Sequence, residues 1–276
     1  MKTKLIDYVD NGPIFITGHV NPDGDALGSA FALKLFLDTQ NIISDVDFDI
    51  TTKLPSNLNH LPYHLISDDL KEKYNTVFVF DCGNSSRLGK YEEVVLAAEN
   101  IVVIDHHVDP SFGDVQIIDP HAASTTQVLF RQFKDENIEI NEEMANCLLT
   151  GLITDTGRFQ YSNTTSEVFS IAAELLGNGA NLSKISENIY GSIEFNALTL
   201  QSKIIERIVL NEDLQFAHSI VFQNDYKDYK VEPEETDFLI DVVRLVKEST
   251  VALLIKEQED GSFKGSLRSR GDIDVQ

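Results

Sequence analysis

The chain is poor in everything that would staple or anchor it from outside its own core. It has two cysteines, Cys82 and Cys147, and no tryptophan. Two thiols cannot build the disulfide framework of a small secreted module, and they fit a reducing compartment. No uncharged apolar stretch approaches the ~20 residues that a membrane-spanning helix needs. The N-terminus, Met1 to Asp10, has neither an apolar core nor a cleavage signature, so no signal peptide is expected. The expectation is a soluble, cytoplasmic protein without a membrane partner. Positive charge is scarce too: 22 Lys and Arg stand against 45 Asp and Glu, for a net charge of −23. Such a surface repels polyanions and argues against long DNA or RNA as a partner. Small anionic substrates stay open, because bound metal ions reverse the local field.

What is present is length and pattern. A chain of 276 residues can bury a core without staples and can divide into two domains. Short apolar, β-branched runs at Pro13–Gly18, Thr76–Phe80 and Ile101–Ile104 read as buried strands, and Val46–Ile50 as an alternating one. Leu27, Phe31 and Leu35 recur at helical spacing and predict a helix from about Ala26 to Asp38. Further helices are predicted over Glu92–Ala98, Thr125–Glu136 (capped by Ser124) and Glu142–Ile153. Thr164-Thr165-Ser166-Glu167 reads as a capping box with Thr164 as the cap, opening a helix that stops near Gly177-Asn178-Gly179.

Strands alternating with helices predict an α/β domain over residues 1–185, a parallel sheet with helices on both faces. Residues 186–203 read as a helical connector. Residues 204–276 read as a smaller α+β domain with a mixed sheet. Its strands are expected at Phe216–Phe222, Thr250–Lys256 and Phe263–Arg268, and its helix at Glu234–Lys247. No internal repeat or low-complexity tract is visible.

Four segments end apolar runs in clusters of Asp and His: His19-Val20-Asn21-Pro22-Asp23-Gly24-Asp25, Asp81, Asp105-His106-His107, and Asp155 in Thr154-Asp155-Thr156-Gly157-Arg158. Taken singly, each has an ordinary explanation. Asp-Gly-Asp is most often a surface turn, and an Asp after a strand is often a helix cap. Their order and placement at strand ends, where open α/β sheets build sites, argue otherwise. Four converging carboxylates carry about −4, which two divalent ions would balance. Oxygen ligands with some imidazole suit Mn²⁺ or Mg²⁺, with Zn²⁺ and Co²⁺ also compatible. Two ions about 3.5–4 Å apart can clamp a phosphate through attack and departure. His60, His64, His121 and His218 lie outside the motifs and read as loop or surface histidines.

The four motifs, with Gly18–Ser29, Asp81-Cys82-Gly83-Asn84 and Thr154–Phe159, resemble the DHH phosphoesterase family. The similarity runs over roughly residues 10–180, and is greatest to its oligoribonuclease and phosphoadenosine-phosphate phosphatase branch. That resemblance implies a metal-dependent phosphoesterase releasing 5′-mononucleotides from short oligoribonucleotides or pApA-like dinucleotides. It also implies AMP from phosphoadenosine phosphate, and a hydroxide bridging two Mn²⁺ ions as nucleophile. His19, Asp23 and Asp81 would hold one ion. Asp25, Asp81, His106 and Asp155 would hold the other. His107, Asp105 and Asp81 would be the catalytic set, with His107 facing the scissile phosphate and Asp105 orienting its neighbour. Asn84, Arg87, Arg158, Arg268 and Arg270 would contact substrate. Small nucleotides or very short RNA are the expected partners, and a homodimer is left open.

Relatives carry a Gly-Gly-Gly-His segment beyond the region of Gly265–Arg270, and it is missing before Gln276. The expectation is therefore an intact metal set beside a partial substrate-binding domain. The alternatives are a cyclic dinucleotide phosphodiesterase, an inorganic pyrophosphatase of the related DHH group, and a nucleotide-binding module without turnover.

Overall fold

The computed structural model describes residues 4–9, 12–51, 53–108, 110–236, 238–270, 273 and 275. Its internal contacts group into two units, Met1–Gly191 and Ser192–Gln276. In the first unit, chain order runs β1 (Ile14–Gly18), α1 (Gly24–Thr39), β2 (Ser44–Val46), β3 (Thr76–Phe80), α2 (Glu92–Leu96), β4 (Asn100–Asp105) and β5 (Val115–Ile118). Then follow α3 (Thr125–Asp135), α4 (Glu142–Asp155), α5 (Ser166–Gly177) and α6 (Leu182–Tyr190). The strands form one sheet in the order β2-β1-β3-β4-β5, and every pairing is parallel.

The unbroken apolar texture of these strands follows from cover on both faces. Ile14, Ile16, Phe78, Phe80, Val102 and Ile104 join one cluster with Leu27 and Phe31 of α1, Leu129 of α3 and Leu148 of α4. The alternate residues Phe15, Val77, Val79, Ile101 and Val103 join another with Leu88, Tyr91 and Val95. Helices thus lie on both faces, as the α/β pattern predicts. The strand order reverses between β1 and β3, and the crevice at their carboxyl ends is where such sheets bind ligands.

Several boundaries differ from the sequence pattern. The expected strand Val46–Ile50 pairs only over Ser44–Val46. Beyond it, the Asp47 carboxylate accepts from the Tyr91 hydroxyl and the Asp49 carboxylate from the Lys90 N–H. The helix expected over Glu92–Ala98 is shorter because residues Ser85–Tyr91 wind as 3₁₀ turns into it. The half-exposed edge strand β5 was not anticipated, since Val-Gln-Ile-Ile lacks a clear period. Thr165, not Thr164, caps α5, its hydroxyl accepting from the Val168 N–H. Glu167 pairs with Arg131 at 2.6 Å instead of reaching back to the cap.

In the second unit the order is α7 (Phe195–Glu206), β6 (Val209–Asn211), β7 (Phe216–Val221), α8 (Gln223–Tyr229), α9 (Leu239–Arg244), β8 (Val251–Glu257) and β9 (Phe263–Ser269). The sheet β6-β7-β8-β9 is mixed: β7 and β8 are parallel, and the two outer pairings are antiparallel. Leu200 and Ile204 of α7 and Leu239, Ile240 and Val243 of α9 pack with Ala217, Val221, Ala252 and Leu254 of the sheet. The helical stretch 186–203 comprises two helices: residues 191–194 separate them, and α6 packs with α4 while α7 packs with α8 and α9. The helix expected over Glu234–Lys247 reduces to a 3₁₀ turn, Pro233–Thr236, and α9. The short β6 and α8 carry too few apolar residues to show a period. His218 lies on β7, its ring stacked on Phe216, rather than in a loop. Among the described residues, no helix is long and apolar enough to cross a membrane.

Candidate metal centre

The site grows from loops that leave β1, β3 and β4 at the switch point. His19 follows β1 directly. Asp23 caps α1, one carboxylate oxygen accepting the N–H of Asp25 at 2.9 Å and of Ala26 at 3.1 Å. Asp25 then sits in the first turn of α1, fully buried. Its two oxygens accept the N–H groups of Thr125 (2.6 Å) and Thr126 (2.9 Å) at the start of α3, where the helix dipole favours a carboxylate. Asp81 follows β3 and takes φ +54°, an expensive conformation for a non-glycine residue. The Thr125 hydroxyl donates to its Oδ1 at 3.2 Å. Asp155 arrives from the far end of α4.

Close helix packing makes that arrival possible. A Cβ on Gly28 of α1 would lie 2.4 Å from the Cys147 carbonyl of α4. One on Gly151 would lie 2.6 Å from Asp25 Oδ1. Both positions need the missing side chain for close approach, not for an unusual φ.

The ligand atoms converge on a common space. His19 Nε2 is 3.5 Å from Asp81 Oδ2 and 3.9 Å from Asp23 Oδ1. His106 Nε2 is 3.3 Å from Asp155 Oδ2, 3.7 Å from Asp81 Oδ1 and 4.0 Å from Asp25 Oδ2. The other ring nitrogens face backbone carbonyls: His19 Nδ1 lies 2.9 Å from the Val20 oxygen, and His106 Nδ1 lies 3.3 Å from the Ala122 oxygen. A carbonyl only accepts, so each Nδ1 carries a proton, and Nε2 is the nitrogen left to face the carboxylates and, once it gives up its own proton, a metal ion. The resulting tautomer is the one a metal ligand needs. Among the described residues three groups qualify by proximity: His19, Asp23 and Asp81; Asp25, His106 and Asp155; and Asp81, Asp105, His106 and His107. The donor set, hard oxygens with imidazole and no thiolate, fits divalent ions.

The electrostatics carry the same signature. Burial raises the Asp25 carboxyl well above its usual range, and the charges of Asp155 and Asp81 push it further. Burial likewise lifts Asp155 to about 7, against the pull of His106. Burial would raise Asp81, but His107 and His19 outweigh it and hold that carboxylate below the usual range. Burial would lower His19 and His106, yet the surrounding carboxylates lift them to about 10 and about 9. Among the protein groups alone, protons balance the crowded negative charge.

Asp105 is buried, and its Oδ1 collects three contacts: the N–H groups of His106 (2.7 Å) and His107 (3.0 Å), and His107 Nδ1 (2.7 Å). The hydrogen bonds to Asp105 and then Asp81 lift His107 to about 10, so the half-exposed ring is cationic at neutral pH. The substrate candidates scatter. The Asn84 side-chain oxygen is engaged in capping the 3₁₀ turn at the Ser86 N–H. Arg87 is exposed, and its carbonyl accepts from the Val20 N–H at 2.7 Å, tying its loop to the His19 loop. Arg158 lies three residues past Asp155, its guanidinium 3.8 Å over the Tyr190 ring. Arg268 and Arg270 belong to the second unit, where both guanidinium groups donate to backbone carbonyls. From the sequence, Ser124 and Thr125 are a helix start near the candidate metal ligands that needs no further role; in the structure this N-terminus grips Asp25 and Asp81.

A family model described as "DHH family, N-terminal domain" matches residues 13–152. The chain belongs to the DHH family. This bears out the resemblance read from the four motifs. The DHH-family chain is 32% identical over 274 residues to the bifunctional oligoribonuclease and PAP phosphatase NrnA of Thermus thermophilus, covering 96% of this chain and 78% of that protein. It is 26% identical over 280 residues to the Bacillus subtilis protein of the same description, covering 99% and 87%. Among solved structures, an exopolyphosphatase-related protein from Bacteroides fragilis superposes with a TM-score of 0.89 at 24% identity, covering 98% of this chain and 83% of that one. That likeness shows the fold.

Proposed function

We propose that this DHH-family chain is a divalent-metal-dependent phosphoesterase acting on short oligoribonucleotides and pApA-like dinucleotides, and on phosphoadenosine phosphate. The carrying observation is the convergence of Asp25, Asp81 and Asp155 with the Nε2 atoms of His19 and His106, each ring locked by a carbonyl. His19, Asp23 and Asp81 would hold one ion, and Asp25, Asp81, His106 and Asp155 the other, with Mn²⁺ the preferred metal. Such ions, when bound, would supply Lewis acidity and lower the proton affinity of water. His107 contributes a fixed positive charge: Asp105 holds Nδ1, and the exposed side of the ring offers an N–H to a phosphate oxygen as negative charge builds there. Asp25 and Thr125 fix the site against α3 so that little reorganises during reaction. The oligoribonuclease and PAP phosphatase descriptions of the relatives support the substrate class. Nucleotide substrates and two buried, unpaired thiols suit the cytoplasm.

The test is a product-resolved hydrolysis panel with Mn²⁺, covering pApA, a short RNA and phosphoadenosine phosphate. Asp81→Ala should lower turnover about 10³-fold. A folded, metal-loaded chain that turns over none of the three would overturn the proposal.

A further inference from the structure

Directly after Asp155 the backbone does something unusual. Gly157, Arg158 and Phe159 all take left-handed conformations, with φ of +54°, +64° and +63°. Two of the three carry side chains, which such a backbone disfavours. The surroundings enforce it. The N–H of Arg158 donates to the Ile153 carbonyl (3.0 Å), and that of Phe159 to the buried Thr156 hydroxyl (3.2 Å). The Phe159 ring packs on Phe169, centroids 5.4 Å apart. Strain this well supported beside a candidate ligand positions something.

What it positions is the Arg158 side chain. Its guanidinium lies 3.8 Å over the ring of Tyr190, while Arg158 itself is exposed. Tyr161, 37% exposed, lies against Gly157: a Cβ there would meet its ring at 2.3 Å. Burial lifts the Tyr190 hydroxyl to about 12, with Arg158 opposing and Tyr161 and Asp155 adding to the rise, so all four groups sit within electrostatic reach. Among the described residues, Arg158 makes no ion pair. The guanidinium is therefore covered on one side by an aromatic ring, while the residue as a whole stays exposed.

Resting on the phosphoesterase reading, we propose that Arg158 stacked on Tyr190 is a shelf for a nucleobase, holding the base of a nucleotide whose phosphate lies at the metal centre. A guanidinium plane stacks on any base, so the shelf tolerates sequence while requiring a base. Tyr190 restricts the guanidinium in advance, which lowers the ordering cost on binding.

The test is the fluorescence of pApA analogues carrying 2-aminopurine at either position, titrated with protein in Mg²⁺; the absence of tryptophan leaves the signal clean. Stacking quenches 2-aminopurine. Quenching is expected at one of the two positions in the wild type and in Tyr190→Phe. Arg158→Ala should weaken binding about tenfold and abolish the quench. Arg158→Lys, which keeps the charge but not the plane, should also lose it. No quenching in the wild type, or quenching in Arg158→Lys equal to wild type, overturns the shelf. Turnover without quenching would sink the shelf alone, and quenching without turnover would sink the phosphoesterase reading alone.

Discussion

The two sheets of this chain spend their residues differently. In the first unit, β1 and β3 are buried at every position. In the second, β7 and β8 bury alternate residues, and β9 is mostly exposed. A parallel sheet with cover on both faces excludes water from both sides of its strand ends. Carboxylates delivered there, such as Asp25 and Asp81, meet a low dielectric and shift their proton affinities. On the exposed β9 the charges of Arg268 and Lys264 stay at the surface. The same chain can therefore bury a cluster of carboxylates at the strand ends of one sheet and leave an edge strand of the other solvated.

The comparison can be broken at either sheet. The largest effect is expected from Leu254→Ala, which removes a fully buried side chain from β8. It should cost about 2–5 kcal/mol in a urea titration. A cost below about 1 kcal/mol would mean that the second core is less packed than described.

The first sheet is tested through its charges. A divalent ion requires ionised carboxylates and neutral imidazoles. The protein groups alone hold Asp25 well above the usual carboxylate range, Asp155 at about 7, and His19 and His106 at about 10 and about 9. Binding therefore releases protons, and affinity must rise with pH. Calorimetry with Mn²⁺ between pH 6 and 8 should show about a tenfold gain per unit for each proton displaced. An affinity flat across that range would contradict the buried, crowded site.

A smaller effect is expected from Gly28→Ala. The added methyl presses on the Cys147 carbonyl and forces α1 from α4. About 1–3 kcal/mol of stability should be lost, with weaker metal binding as Asp155 retreats from Asp25. Wild-type metal affinity in this variant would show that helix spacing does not set the site. The smallest effect belongs to Leu267→Ala on the open β9, expected within about 0.5 kcal/mol because Leu267 is already 39% exposed.

The legible parts share a cause. Thr76–Phe80 and Ile101–Ile104 could be read as strands because strands buried on both faces are continuously apolar, and the helices α1, α3 and α4 because they are long enough to repeat. The candidate metal ligands were legible because they end those runs. What failed to show was short or half-covered: β5, β6 and α8. The capping residue of α5 was misplaced by one position, because Thr164 and Thr165 offer the same hydroxyl and Glu167 found a stronger partner in Arg131.

The sequence by itself determined the family, the α/β pattern and the list of residues able to bind metal, since these are properties of order and spacing along the chain. Tertiary structure alone decided which of them meet. Asp25 and Asp155 lie 130 positions apart in sequence. They share a site only because Gly28 and Gly151 let α1 and α4 touch. The N-terminus of α3 is aimed at Asp25 by packing that no local pattern records. The Arg158–Tyr190 stack likewise depends on α6 folding back beside the end of α4, a long-range contact whose free energy appears only once the chain is closed.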